Sequence, residues 1–278
     1  MTIAPQDFIT NLAVGENGFL QAADASDVSY PEDGHDICHA VENTSFWFGH
    51  RNRALRAVMQ AFPPAEDRPF VDVGGGNGFV ALMVQELGHH VVMIEPGEAG
   101  ARFARDRGVA DIVQSSIVDL DVTPNSVGGI GLFDVLEHID HDVDALRRMG
   151  EMLTDDGRIY LTVPAHRALW SSIDVQAGHF RRYTRRTLSR TLELAGLDVD
   201  FVSYYFWPLP APMFLLRCLP ERLKLRKGES RAARVSREHE QDNRLVERAL
   251  SYELRRFSAG RSIPIGASCV AVARKRTS

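Results

Sequence analysis

Cysteine is scarce in this chain: three residues in 278, Cys38, Cys218 and Cys269, with no Cys-x-x-Cys spacing among them. That argues against a disulfide framework and against a zinc site, and it suits reduced thiols in a cytoplasmic protein. No metal is expected. No run of about 18 apolar residues exists, so no segment reads as a membrane span. The opening MTIAPQDFITNLAVGENG has no basic stretch followed by an apolar one, and does not read as a secretory leader. Internal repeats and low-complexity blocks are missing as well. So is a strong net charge: the formal value is −5, with 25% charged and 44% hydrophobic residues, a balance that excludes wholesale disorder.

The charge is unevenly spread. Residues 221–261 carry twelve Lys/Arg against seven Asp/Glu, leaving the rest of the chain strongly acidic. This basic stretch reads either as a solvated helical face or as a patch for an anionic partner.

What is present is alternation. Residues 1–45 are polar and punctuated by Gly, Asp and Ser, and read as an irregular extension. SFWFGHRNRALRAVMQAF then has helical spacing, with Leu55, Val58, Met59 and Phe62 on one face and Pro63-Pro64 as its stop. Short apolar runs follow at Phe70–Val73, Val91–Ile94, Ile112–Gln114, Ile130–Phe133 and Arg158–Val163, separated by helical patterns near 79–87, 99–107 and 141–153. Strands joined through helices imply crossover connections and a parallel sheet, so the fold class is α/β. A helix capped by Thr184 and stopped at Gly196, a sixth strand at Val199–Tyr205 and a last strand near the C-terminus complete the core, 46–205 with 262–278. Between them, 206–261 reads as an insertion: a proline-broken apolar stretch, then an amphipathic helix over 238–258 with Val246, Leu250, Leu254 and Phe257 in register.

One stretch raises a chemical question. FVDVGGGNGFV, Phe70 to Val80, places four glycines in five positions at the end of the first strand of the alternating series. Bare backbone there, followed by the positive end of a helix, lets N–H groups approach a ligand closely. GNGFVA satisfies a dinucleotide pattern and Glu95 stands near its ribose position, so a nicotinamide-dependent oxidoreductase is one reading. Asp72 favours another. An acid two residues before Gly74 suits a ligand ammonium and would repel a pyrophosphate.

Together with IEPG (Ile94–Gly97), FDVLEHI (Phe133–Ile139) and LTVPA (Leu161–Ala165), the motif resembles the class I S-adenosylmethionine-dependent methyltransferases over roughly 42–274. AGHFRRYT (Ala177–Thr184) and IGASCVAVARK (Ile265–Lys275) are similar to a bacterial subgroup of them. The resemblance implies a Rossmann-like, seven-stranded, mostly parallel sheet with helices on both faces, its last strand antiparallel and inserted between strands five and six. It implies that Asp72, Gly74, Gly76 and Gly78 hold the methionine moiety, that Glu95 accepts from the ribose hydroxyls, that Ser116 meets the adenine amino group and that Ile117 packs on its ring. Phe133 and Asp134 would face the cofactor, and Arg51 its carboxylate. Two positions depart from the family: Ser116 where an acid is common, and Gly128-Gly129 where an Asp commonly leads into strand four.

The resemblance implies in-line methyl transfer to an oxygen or nitrogen of a small-molecule, saccharide- or lipid-linked acceptor. The loop HRALWSSIDVQAGHFRRYT offers general-base candidates His179 and, with the strand-four loop, His138, because neutral imidazole is available near pH 7. Tyr183 is a third catalytic candidate and, with Trp170, a pocket candidate, and Arg181 and Arg182 can clamp a carboxylate or phosphate on the substrate. YYFWPLPAPMFLLRCLPERLKLRK, 204–227, is apolar and then basic (Arg222, Lys224, Arg226, Lys227). It reads as a lid, a homodimer arm or a peripheral membrane element. Nucleic acid is disfavoured as a substrate: the Asn/Asp-Pro-Pro-aromatic signature is absent and the catalytic part is acidic. A cofactor-binding scaffold without catalysis is the non-enzymatic alternative.

Overall fold

A computed structural model describes residues 3–23, 42, 45–225 and 244–276 of the chain. Its framework is one sheet in the order β1-β2-β5-β4-β3-β6-β7-β9-β8, where β1 is Leu12–Val14, β2 Leu20–Ala22, β3 Phe70–Val73, β4 Val91–Ile94, β5 Asp111–Val113, β6 Val127–Phe133, β7 Leu153–Pro164, β8 Leu197–Tyr205 and β9 Ser268–Lys275. The seven-stranded core is the expected one. Strands β5, β4, β3, β6 and β7 pair in parallel, and β9 runs antiparallel between β7 and β8.

The amino-terminal segment departs from expectation. Far from being irregular, 3–23 forms an antiparallel hairpin whose second strand adds to the edge of the sheet beside β5. Phe8 and Ile9 sit under that edge in the core, and Thr10 N–H donates to the Asp121 carbonyl. The segment's polarity concealed this because edge strands of three residues leave little room for alternation.

Helices cover both faces. They are α1 (Phe46–Ala61), α2 (Phe79–Glu86), α3 (Glu98–Arg107), α4 (Asp142–Met152), α5 (Ser172–Gln176) and α6 (Arg185–Leu194). Alternate residues of each central strand face opposite ways. Val71, Val73, Val92, Ile94, Ile130 and Leu132 join one core layer, with α4 and α6. Phe70, Val91, Met93 and Tyr160 join the other, with α1 and α2. The runs of the parallel sheet are thus mostly apolar because both of its faces are covered.

The Gly128-Gly129 departure has a packing cause. A Cβ at Gly128 would stand 2.7 Å from the Ala65 carbonyl oxygen, and one at Gly129 would stand 2.5 Å from the Phe70 ring. The Phe70 ring and the segment before β3 occupy the space that a side chain at the start of β6 would need.

The carboxy-terminal insertion is fastened to the core. A helical run of α (Pro210–Met213, α7), π (Phe214–Cys218) and α (Leu219–Arg222, α8) follows β8, and α9 spans Arg244–Ser258. Glu253 of α9, fully buried, accepts from the backbone N–H groups of Phe206 (2.8 Å) and Trp207 (3.0 Å). Phe206 has φ +58° and stacks on Trp47 at 3.8 Å, while Leu250 and Phe257 complete the layer against α1. Cys38, Arg226, Lys227, the residues 226–243 and the side chain of Val246 lie outside the described residues.

Candidate active site

The cofactor candidates converge where β3, β4 and β5 end. Gly74 and Gly75 N–H both donate to the Ile94 carbonyl, and Glu95 N–H donates to Val113. These bonds set the turns after the three strands side by side. Glu95 is buried and spans two of them: one carboxylate oxygen accepts from Gly76 N–H (2.7 Å), the other from Gly97 N–H (2.8 Å), at the start of α3. A carboxylate there also meets the positive end of that helix.

The glycines divide their work. Gly78 (φ +76°) is the close-packing position: a Cβ would stand 2.9 Å from the Ala104 Cβ and 3.0 Å from its Cα, so α2 could not approach α3. Gly76 (φ +55°) has nothing within 4 Å of the same point. It is bare where the backbone faces open space, as a ligand cradle requires. Gly74 (φ +65°) lies against Val135.

Asp72, at the end of β3, is almost fully buried, and its Oδ2 has no hydrogen-bond partner among the described residues. Burial pushes its pKa up to about 7; Arg51 opposes the shift and Glu95 adds to it. A buried carboxylate oxygen without a donor is costly, and beside an open glycine turn it marks the place of a missing cation or donor. The residues therefore fit a ligand that brings an ammonium group and vicinal hydroxyls.

Ser116 begins the 3₁₀ turn Ile117–Asp119 and is half-buried, and Ile117 is buried on the core face. Ser115 next to it keeps a buried hydroxyl without a partner among the described residues. Phe133 differs from expectation. Its ring lies over Gly131 in the core, so Asp134 is the member of the pair that stays partly open. Asp134 has φ +60°, unusual for a non-glycine residue. Its N–H and Oδ1 hold Thr162 of β7, and Oδ2 accepts from Arg51 at 3.2 Å. Arg51 is buried and thus reaches the cradle from α1.

A second group forms around the loop after β7. Asp174, completely buried in α5, accepts from His179 Nδ1 (2.9 Å), from Arg182 Nε (2.7 Å) and Nη2 (3.1 Å), and from Ser171 N–H (2.8 Å). Burial opposes its ionisation, but the hydrogen bonds from His179 and Arg182 outweigh that and hold its carboxyl well below the usual range. The His138 and His179 rings meet edge-on, 4.7 Å apart. Phe180 N–H donates to the Glu137 carbonyl, fastening this loop to the turn that follows Asp134. Glu137 is buried, and desolvation followed by repulsion from Asp134 raises its pKa well above the ordinary value.

Two expected roles change. Tyr183 is buried in the core and donates its hydroxyl to Asp142 Oδ2 at 2.8 Å; burial and that bond push its pKa up, so it holds structure and does not shuttle protons. Arg182 lines the same cleft as Arg181, but Asp174 and the Ala165 carbonyl (3.0 Å) engage its guanidinium, so it also positions the loop. Arg181 pairs with Asp140 and Asp142 yet faces a cleft of about 750 Å³ that Arg167, Trp170, Phe180 and Arg222 also line.

Asp174, Glu137 and Arg167 were not singled out from the sequence, and Arg222 was named only as one of the basic residues of 204–227. Asp174 reads there as an ordinary capping-box acid three residues after Ser171, a role it does fill. Its second face, toward His179 and Arg182, depends on where the loop folds back.

Comparison with known proteins agrees with this geometry. The family model described as "Methyltransferase domain" matches residues 47–201, more than half of the chain. No curated protein matches the sequence. Among solved structures, phosphoethanolamine N-methyltransferase 2 of Haemonchus contortus, in complex with S-adenosyl-L-methionine, superposes with TM-score 0.58 at 17% identity, covering 89% of this chain and 58% of that one. This chain therefore spans little more than half the length of that enzyme. A possible histamine N-methyltransferase of Thermotoga maritima gives 0.54 at 14% identity over 88% of this chain and 97% of the other. Geranyl diphosphate C-methyltransferase of Streptomyces coelicolor A3(2), with Mg2+, geranyl diphosphate and S-adenosyl-L-homocysteine, gives 0.51 at 16% over 80% and 77%. The match over residues 47–201 places the chain in the methyltransferase domain family.

Proposed function

We propose that the chain methylates an oxygen or nitrogen of an anionic small-molecule or lipid-linked acceptor. The observation that carries the reading is the span from Asp134 to Glu137. Asp134 closes the cofactor cradle through Arg51, and Glu137, three residues on, holds the acceptor loop through Phe180. Cradle and loop therefore share one turn.

The bound cofactor supplies an activated methyl on a sulfonium. Glu95 would receive its ribose hydroxyls, Asp72 its ammonium, and Gly76 would give it backbone room. Alignment of acceptor and methyl carbon then supplies much of the rate. His179, fixed by Asp174 in the tautomer whose Nε2 carries the lone pair, takes up the acceptor proton. Arg167, Arg181 and Arg222 line the acceptor cleft and favour a phosphate or carboxylate, with Trp170 and Phe180 as its apolar wall.

A lipid-linked acceptor is favoured by one surface. Leu215, Leu216, Leu223 and Leu225 are more than half exposed, beside Arg222 and Lys224. Arg222 donates to the Ala168 carbonyl at the cleft, so an interfacial helix there would bring the cleft to the headgroup plane. No helix among the described residues is long and apolar enough to cross a membrane. The test is a coupled S-adenosylhomocysteine-release assay across phosphorylated, carboxylated and neutral acceptors, each free and in vesicles. Anionic acceptors should turn over at least tenfold faster than neutral ones. Equal rates would remove the role given to the arginines.

A further inference from the structure

One buried cluster is not used by the cradle. Glu137, His138 and His179 each place a ligand atom within 4.8 Å of the others'. The Glu137 side chain is 1% exposed, and its Oε2 has no hydrogen-bond partner among the described residues. An acceptor oxygen in that state calls for a proton donor or a cation.

The surroundings point to the cation. His179 gives its Nδ1–H to ionised Asp174, which leaves the Nε2 lone pair as the coordinating atom. A carboxylate behind a histidine is the arrangement that fixes tautomer and ring orientation of a metal ligand. Asp174 is itself neutralised by Arg182, so Glu137 is the carboxyl of the cluster left to meet a divalent ion. The three ligands come from two turns, Leu136–His138 after β6 and the loop before α6, which Phe180 N–H to Glu137 O holds together.

We propose that Glu137, His138 and His179 bind a divalent transition-metal ion through one carboxylate and two imidazoles. Two nitrogen donors select the manganese-to-zinc series over magnesium or calcium, which take oxygen ligands. Three protein ligands leave a coordination position open, as catalytic sites do. Ligand atoms around such an ion lie roughly 3–3.5 Å apart, from metal–ligand distances of about 2.0–2.2 Å. The present spread contracts by an ångström or two on loading, with half-buried His138 the ligand that moves. The expectation of no metal rested on the absence of a Cys-x-x-Cys pair, and a carboxylate with two imidazoles needs no such pair.

The proposal deepens the methyl-transfer reading and rests on it for the ion's task. An acceptor hydroxyl that fills the open position loses its proton to solvent water at lower pH. Its oxygen then forms the C–O bond as the methyl–sulfur bond breaks, and the sulfur keeps the electron pair. The ion would replace His179 as the means of activating the acceptor.

The test uses the full chain, stripped with EDTA and titrated with Co2+ while its visible d–d bands are recorded, then with Zn2+ by calorimetry. One ion per chain is expected, with Kd of about 10 µM or tighter. E137Q and H179N should weaken it about 100-fold while keeping the thermal shift given by S-adenosylhomocysteine, which proves them folded. D72N should do the reverse: metal affinity within about twofold of wild type, nucleoside affinity down about 10- to 150-fold. Wild-type protein that binds S-adenosylhomocysteine but shows no Co2+ bands overturns the metal site and leaves His179 acting alone. Variants that keep full Co2+ affinity overturn the ligand assignment. Loss of the nucleoside response in wild type would instead sink the cofactor reading.

Discussion

Asp72→Asn should stabilise the empty protein and weaken its ligand. Asp72 titrates near 7 in the folded chain against an ordinary value of 3.8, because burial penalises its charged form. The folded state thus holds a proton that the unfolded state has released, and stability falls as pH rises from about 4 to 7. At about 1.4 kcal/mol per unit, the shift costs about 4 kcal/mol above neutrality. Asparagine has no charge to bury, so D72N should be more stable than wild type at pH 8 and nearly equal to it at pH 4. For a chain of this size that is a Tm rise of about 5–10 °C at pH 8. Binding runs the other way. The charge-assisted hydrogen bond to a ligand ammonium contributes about 1.5–3 kcal/mol, so the affinity for S-adenosylhomocysteine should drop about 10- to 150-fold. Differential scanning calorimetry at pH 4, 6 and 8, with and without the nucleoside, reads both effects. A variant that melts lower than wild type at pH 8, or binds the nucleoside equally well, would refute the argument that this carboxylate waits for a cation.

Gly78→Ala should unfold at lower urea, by about 1–3 kcal/mol from its backbone conformation and more from the Ala104 contact, whereas Gly76→Ala should cost less stability and lose more nucleoside affinity; equal effects would erase the division of roles drawn between them. Glu95→Gln turns one acceptor into a donor facing a backbone N–H, and calorimetry should find nucleoside affinity down tenfold or more. Asp174→Asn leaves Arg182 buried against a neutral partner, so urea titration should show a loss of about 3–5 kcal/mol together with loss of turnover. A Leu216→Asp, Leu225→Asp double variant should leave the nucleoside thermal shift intact and sediment less with anionic vesicles; undiminished sedimentation would remove the interfacial reading.

The alternating core was legible because a parallel sheet buried on both faces must be written as short apolar runs, and Phe70–Val73, Val91–Ile94 and Arg158–Val163 are such runs. The β1–β2 hairpin was not. Val14 is largely exposed at the sheet edge, and three-residue strands there need no periodic pattern. The attachment of 206–261 to the core was equally hidden, since it turns on one residue, Glu253. In the sequence that residue looks like any charged position of an amphipathic helix, and only its burial against the Phe206 and Trp207 N–H groups gives it a different meaning.

The two halves of the site differ in legibility for a related reason. The cradle is local: glycines, an acid two positions before them and another acid at the next strand's end are consequences of backbone geometry, which sequence spacing records. The acceptor side is assembled by side-chain competition. Arg182 and Arg181 are neighbours of the same chemistry and both line the cleft, yet Arg182 is all but buried on Asp174 while Arg181, paired with Asp140 and Asp142, stays about a third exposed (32%), and Tyr183 next to them is withdrawn to Asp142. Which of three adjacent polar residues remains available depends on the partners that distant elements bring. Here α5 supplies Asp174, which holds Arg182 and His179, and α4 supplies Asp142, which holds Tyr183 and pairs with Arg181. A buried acid near a functional loop therefore decides more about that loop's chemistry than the loop's own composition does.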